Sequence, residues 1–221
     1  MPLLRRSPAA RRATRGPFLA GLAGGVVALL WIGMIVAGFR ALMQYESKAG
    51  AAASPTSQWL AGVPFELDPA LPTLVLFAHP RCPCTRATLG ELDRILAHSD
   101  GRLRTHVVFY SDPALGPDWH HSDLWDQAAG MDGVEVHEDP HGELAQRFGA
   151  LTSGQVFLYA PGGALIFQGG ITAGRGRAGD SNGSRDVLAL IQDPTAEPAA
   201  CAVFGCALTS TQPLPSAEPD L

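Results

Sequence analysis

LVLFAHPRCPCTRATLGELDRIL, Leu74 to Leu96, carries three local signals in one run. Leu74, Val75, Leu76 and Phe77 form an apolar stretch of the kind that fills a buried strand. Leu89, Leu92, Ile95 and Leu96 then follow at helical spacing. Between the two lie His79, Pro80 and Cys82-Pro83-Cys84, so the run predicts strand, cysteine turn, helix. A cysteine at a helix N-terminus meets unpaired N–H groups and the positive end of the helix dipole, both of which favour thiolate over thiol. Arg81 and Arg86 flank the pair and add positive charge that lowers a thiol pKa. The chemistry of the chain is expected here.

Toward the C-terminus the predicted helix ends near His98, with Ser99-Asp100-Gly101 as its stop signal. Leu103 to Tyr110 reads as a second strand. A turn-rich loop, SDPALGPDWHH, precedes a short helix from Ser122, its expected cap, to Ala129. Val134 to His137 gives another strand, and Glu143 to Phe148 one or two helical turns closed by Gly149. Val156 to Tyr159 and Ala164 to Phe167 predict a β-hairpin across Ala160-Pro161-Gly162-Gly163. GGITAGRGRAGDSNGSR, residues 169–185, lacks periodicity and reads as a loop of about 17 residues, a length that is usually functional or disordered. Asp186 to Ile191 supplies the last helix. This alternation predicts an α/β fold, a central sheet flanked by helices.

Upstream, Pro17 to Phe39 contains no charged residue, and about 23 apolar residues suffice to span a bilayer as one transmembrane helix. A cleaved signal peptide is the competing reading, but its apolar core is shorter, about 7 to 15 residues. Five arginines precede the run, and Arg40 and Lys48 follow it, so the N-terminus is expected in the cytoplasm and the rest outside, in the periplasm if the cell is bacterial. The expected layout is a basic cytoplasmic tail (1–16), the membrane helix (17–39), a flexible stalk (40–58), the α/β domain (59–193) and a Pro/Ala-rich tail with a cysteine pair (194–221). The first 48 residues carry seven of the sixteen basic groups and one acid. The remainder holds nine basic against twenty acidic residues, which argues against nucleic acid as a partner, since phosphate contacts need clustered Lys and Arg.

The element order, the cysteine turn after the first core strand and DPHGELAQRFGALTSGQVFLYAPGG together resemble the thioredoxin fold, over about Leu71 to Ile191. More narrowly, HPRCPCTRATLGEL, ALIFQGGIT and the late VFGC are similar to the membrane-anchored RedB-like group of thioredoxin-fold proteins. The resemblance implies a membrane-anchored thiol-disulfide oxidoreductase with a protein thiol or disulfide as its partner. By position Cys82 matches the exposed family nucleophile, with Cys84 as resolving thiol, so that Cys84→Ser traps a mixed disulfide. Cys206, in VFGC, is a second candidate for that role. The chain departs from the family twice: it carries C-x-C in place of C-x-x-C, and Gly154, after Ser153, stands where the family has a cis-proline, an exchange expected to leave backbone exposed.

Two other readings compete. Cys82, Cys84 and His79, with or without Cys206, make a soft donor set for Cu(I) or Zn, as in a thioredoxin-fold metal chaperone. Alternatively, both cysteine pairs are structural disulfides of a binding module, although a staple two residues long closes almost no loop and adds little stability. In the redox reading neither cofactor nor metal is expected, and His79 and Pro83 support the cysteines. His120, His121, His137 and His141 are expected at the solvated surface, and His106 on a strand face.

Overall fold

The computed structural model describes residues 16–51 and 53–208. Nearly all of the expected basic tail, and the end of the C-terminal tail, lie outside the described residues. The chain divides into two compact units, one up to Gln44 and one from Tyr45 onward.

The first unit is built on helix α1, Gly16–Glu46. Its segment Leu22–Glu46 is long and apolar enough to cross a membrane, and Leu29 and Leu30 are 71% and 69% exposed. Apolar residues on every side of such a helix are the pattern of a membrane-spanning segment. It runs seven residues past the expected end at Phe39 because Ala41, Leu42, Met43 and Gln44 are strong helix formers and no breaker precedes Gly50.

The second unit is a six-stranded sheet in the order β3-β2-β1-β4-β5-β6. Strand β1 (Thr73–Ala78) pairs parallel to β2 (Arg104–Ser111), which pairs parallel to β3 (Val134–Pro140). On its other side β1 meets β4 (Gln155–Tyr159) antiparallel, and β4 forms the expected hairpin with β5 (Leu165–Gly169). All of β1 is buried, which explains its unbroken apolar run. Its alternation sends Leu74, Leu76 and Ala78 to one face, against α2 (Pro83–His98), α4 (Asp123–Ala129), which follows the single-turn α3 (Pro117–His120) in the chain, and α6 (Asn182–Gln192). Val75 and Phe77 point to the other, against α5 (Glu143–Phe148). Each fully buried Leu or Phe contributes about 1.5–3 kcal/mol. The thioredoxin-like arrangement expected from the sequence is therefore present, a central sheet flanked by helices and preceded by one apolar helix.

Three boundaries differ from expectation. Helix α6 begins at Asn182, because the Ser181 hydroxyl accepts from Ser184 N–H while the Ser184 hydroxyl accepts from Ser181 N–H. That shortens the glycine-rich loop, which is held to α2 where the buried Glu91 carboxylate accepts from Gly179 N–H (3.0 Å). The stalk expected over 40–58 is not free chain: it is helical to Glu46, Gly50 N–H then donates to Val203 O (2.8 Å), and Leu165 N–H donates to Ser57 O (3.0 Å). Nor does the domain end at 193. Ala199–Ala200 pairs parallel to β5 as strand β6, and Val203 and Leu208 are buried. A strand of two residues has no alternation that a sequence could display.

Candidate functional site

The expected strand, turn and helix place Cys82 at the N-cap of α2, in extended backbone (φ −93°, ψ 123°), with Pro83 in the first turn, where its missing N–H costs nothing. The turn is tied down from several directions. His79 N–H donates to Ser153 Oγ (2.9 Å), which also contacts Thr85 Oγ1 (2.9 Å), and Ser122 Oγ donates to Pro80 O (2.9 Å). Ser122 thus precedes α4 as expected, but its hydroxyl holds the cysteine turn instead of capping its own helix.

The C-terminal segment brings a third sulfur to this turn. Cys206 Sγ lies 3.0 Å from Cys82 Sγ, across 124 residues of sequence. Cys84 joins them, all three sulfurs lying within 4.8 Å of one another. Ser153 again does the positioning: its N–H donates to Cys206 O (2.8 Å) while its hydroxyl holds the turn. Gly205 permits this approach, since a Cβ there would stand 1.9 Å from Ser153 O. Ser153 and Gly205 carry no chemical signal in the sequence; only their contacts mark them as part of the site.

All four cysteines are free thiols, and the cluster is electrostatically asymmetric. Burial pushes the Cys82 pKa up, but the Cys206 thiol, the Cys206 N–H and the N–H groups of Cys84 and Thr85 together outweigh it and hold Cys82 below the ordinary thiol value. Burial raises the Cys84 pKa, and the nearby Cys82 charge adds to it. Cys206 is pushed up to about 12 by burial, by donating to Cys82 and by the charges of Cys82 and Cys84. One sulfur is therefore favoured as thiolate, with two protonated thiols beside it. The positive charge of Arg175, in the glycine-rich loop, partly offsets the rise at Cys84 and Cys206.

The remaining sequence candidates sit around this centre. The Arg81 guanidinium donates to the carbonyls of Asp118 and Trp119, and Arg86 pairs with Asp123. Their charge is thus spent on the 118–123 segment, and α2 and the thiols themselves set the Cys82 pKa. His79 stacks on Tyr110 (5.8 Å between centroids) and accepts from Arg81 N–H through Nδ1 (3.1 Å), with its pKa lowered by burial. It is not one of the clustered donors. Gly154 has φ +91° and its N–H donates to Phe77 O (2.8 Å); it is buried, so the backbone exposure expected from the missing proline is not found. Cys82 is likewise only 2% exposed, reached through a surface cleft of about 320 Å³ lined by Pro80, Arg81, Pro83, Arg86 and Leu124 among others. Cys201 lies apart, beside Asp186, with its pKa raised by burial and by that carboxylate.

His121 and His141 are exposed and His106 lies on strand β2, as expected, but His120 and His137 are not at the solvated surface. His120 is buried, and its Nε2 and that of His121 both approach Glu138 Oε1 (3.5 and 2.8 Å). His106 is fully buried against His137, whose side chain is only 20% exposed.

No protein-family model matches the chain, and no curated protein sequence does either. Among solved structures, it is similar to a hypothetical protein from Sinorhizobium meliloti 1021, at a TM-score of 0.51 and 19% identity over 73% of this chain and 93% of that one. An uncharacterized conserved protein from Geobacillus kaustophilus matches at a TM-score of 0.51 and 15% identity, over 77% and 95%. A secreted disulfide oxidoreductase from Mycobacterium tuberculosis is similar at a TM-score of 0.41 and 14% identity, over 62% and 93%. The likeness to the first two is one of fold, and the strand order with its flanking helices makes this chain an α/β protein of thioredoxin-like architecture behind an apolar N-terminal helix.

Proposed function

We propose that the chain is a membrane-anchored, extracytoplasmic thiol-disulfide oxidoreductase of the RedB-like kind, in which Cys82 attacks and Cys206 resolves. The observation that carries this reading is the 3.0 Å approach of Cys206 Sγ to Cys82 Sγ, with the thiolate favoured at Cys82. In the reducing direction the Cys82 thiolate attacks one sulfur of a partner disulfide. A Cys82–partner disulfide forms, and the other partner sulfur leaves as a thiolate. Cys206 then loses its proton and attacks Cys82 Sγ. The Cys82–Cys206 disulfide forms, the second partner thiol departs, and two electrons have passed to the partner. The reverse sequence oxidises a dithiol. Burial and the Cys82 thiolate together hold Cys206 protonated, and the hydrogen bond and charge of Cys82 no longer do so once Cys82 is bonded to the partner, which favours this order of events.

Equilibration of the full-length protein against glutathione buffers, with mass-spectrometric mapping of its bonds, tests the assignment. Oxidation is expected to join Cys82 to Cys206 and leave Cys84 and Cys201 as thiols. The reading fails if no disulfide involving Cys82 forms at any potential.

The arginine-rich segment before α1 supports an N-terminus in the cytoplasm, with the thiol domain on the oxidising side. A reporter active only in the cytoplasm, fused after Leu221, is expected to stay silent; an active fusion would reverse the topology.

A second reading has its own observation. Three sulfurs within 4.8 Å of one another suit a thiophilic ion such as Cu(I). It replaces the redox reading if the cluster stays reduced at every potential while the chain takes up one Cu(I) that Cys82→Ser loses.

A further inference from the structure

We propose that His106, His137 and Glu135 form a second site, on the β2–β3 edge of the sheet, that binds a divalent cation of the zinc type. The three residues converge because of the strand register. His106 of β2 lies directly across from Glu135 of β3, and His137, two residues further along β3, shares its face. His106 Nδ1 is 3.1 Å from His137 Nε2 and 3.4 Å from Glu135 Oε2, and the latter two atoms are 4.0 Å apart. Four-coordinate zinc with bonds of about 2.0–2.1 Å requires donor–donor edges of about 3.3–3.4 Å. The observed triangle brackets that value, so shifts of a few tenths of an ångström let one ion bond all three, with water at the fourth position.

The donors are also oriented from behind, as metal ligands are. His106 Nε2–H donates to Glu66 O (3.3 Å), which leaves the Nδ1 lone pair directed at the triangle. Arg104 pairs with Glu135 through Oε1, which leaves Oε2 for the imidazoles. Phe65 stacks on His106, with centroids 4.6 Å apart, and lies tilted against His137 at 4.7 Å. Both rings are largely withdrawn from solvent, His106 fully and His137 to 20% side-chain exposure, which disfavours imidazolium and leaves nitrogen lone pairs for an ion. The charge of Glu135 is already matched by Arg104, so binding rests on the imidazole nitrogens. That selects zinc-like ions over Mg²⁺ or Ca²⁺, which need several oxygen donors.

The test uses the full-length chain in detergent with its thiols blocked by N-ethylmaleimide, so that the cysteine cluster takes no metal. Zn²⁺ titrated by calorimetry is expected to bind at one ion per chain, with Mg²⁺ giving no heat. His137→Gln and Glu135→Gln, both at partly accessible positions, should each weaken binding by at least about 10-fold. Co²⁺ should give the visible absorption of a four-coordinate ion without a thiolate charge-transfer band. A blocked chain that takes up no Zn²⁺ would show a hydrogen-bonded histidine pair only and overturn the site. Uptake unchanged in His137→Gln would also overturn it, as would uptake lost instead in His121→Gln, which would locate the ion at His120, His121 and Glu138.

Discussion

A Cys206→Ser chain is expected to accumulate a mixed disulfide on Cys82 that wild type and Cys84→Ser both clear. The resolving step is intramolecular, and a well-placed thiol acts at an effective molarity of about 10⁵ M or more, far above any thiol in solution. Removing it should slow release of the partner by at least about 10³-fold. Cys206 is preferred over Cys84 because its sulfur meets Cys82 at 3.0 Å from a separate segment, whereas Cys84, although it also hydrogen-bonds to Cys82, is only two residues away on the same helical turn, where a disulfide lies at the edge of the favoured geometry. Cys82→Ser should form no mixed disulfide at all, which identifies the attacking sulfur. The measurement is non-reducing electrophoresis and mass spectrometry after reaction with a peptide disulfide. Accumulation in Cys84→Ser but not in Cys206→Ser would return the resolving role to the Cys-Pro-Cys pair.

Gly205→Ala should reproduce much of that defect without touching a sulfur. The added methyl group would lie 1.9 Å from Ser153 O and 3.0 Å from its carbonyl carbon, both backbone atoms that cannot swing aside. The segment must then move away, and the adjacent bond from Ser153 N–H to Cys206 O is the first to be lost. Displacement of Cys206 by about 1 Å is enough to cost on the order of 10²-fold in a step that depends on sulfur–sulfur alignment. The resolution rate, followed by rapid quench of a chain preloaded with a thiol label on Cys82, should fall accordingly. The melting temperature of the variant separates this from general unfolding, because β1, β2 and β4 pack without Gly205. An unchanged rate would mean that the segment adapts and that Ser153 does not set the position of Cys206.

The legible part of this protein was local. The apolar run of β1, the helical spacing of α2 and the hairpin glycines each report their own surroundings, because a strand or helix must present apolar groups at its own period to be buried. The apolar segment of α1 was equally plain. The termini of the domain were not. The chain from Ser47 to Gln58 is small and polar, and Ala199–Ala200 is too short to show a period, yet both are held by backbone hydrogen bonds to distant segments. Any residue offers those N–H and C=O groups, so composition does not reveal them. The arginines beside the cysteines illustrate the converse. Proximity in sequence suggested that they act on the thiols, whereas their side chains reach outward to Asp118, Trp119 and Asp123.

What could be read along the chain alone was that a cysteine stands at the start of a helix, just past the C-terminal end of an interior strand of an α/β sheet, behind an apolar helix. Those features rest on interactions within a few residues or on a pattern repeated along one element. The folding of distant segments onto one another settles which sulfur Cys82 faces, what lowers its pKa and where the histidines gather. The Cys82–Cys206 contact spans 124 residues, and the register of β2 on β3 decides that His106, Glu135 and His137 converge. Such contacts depend on how separate elements close on one another, and neither partner carries a mark of the other.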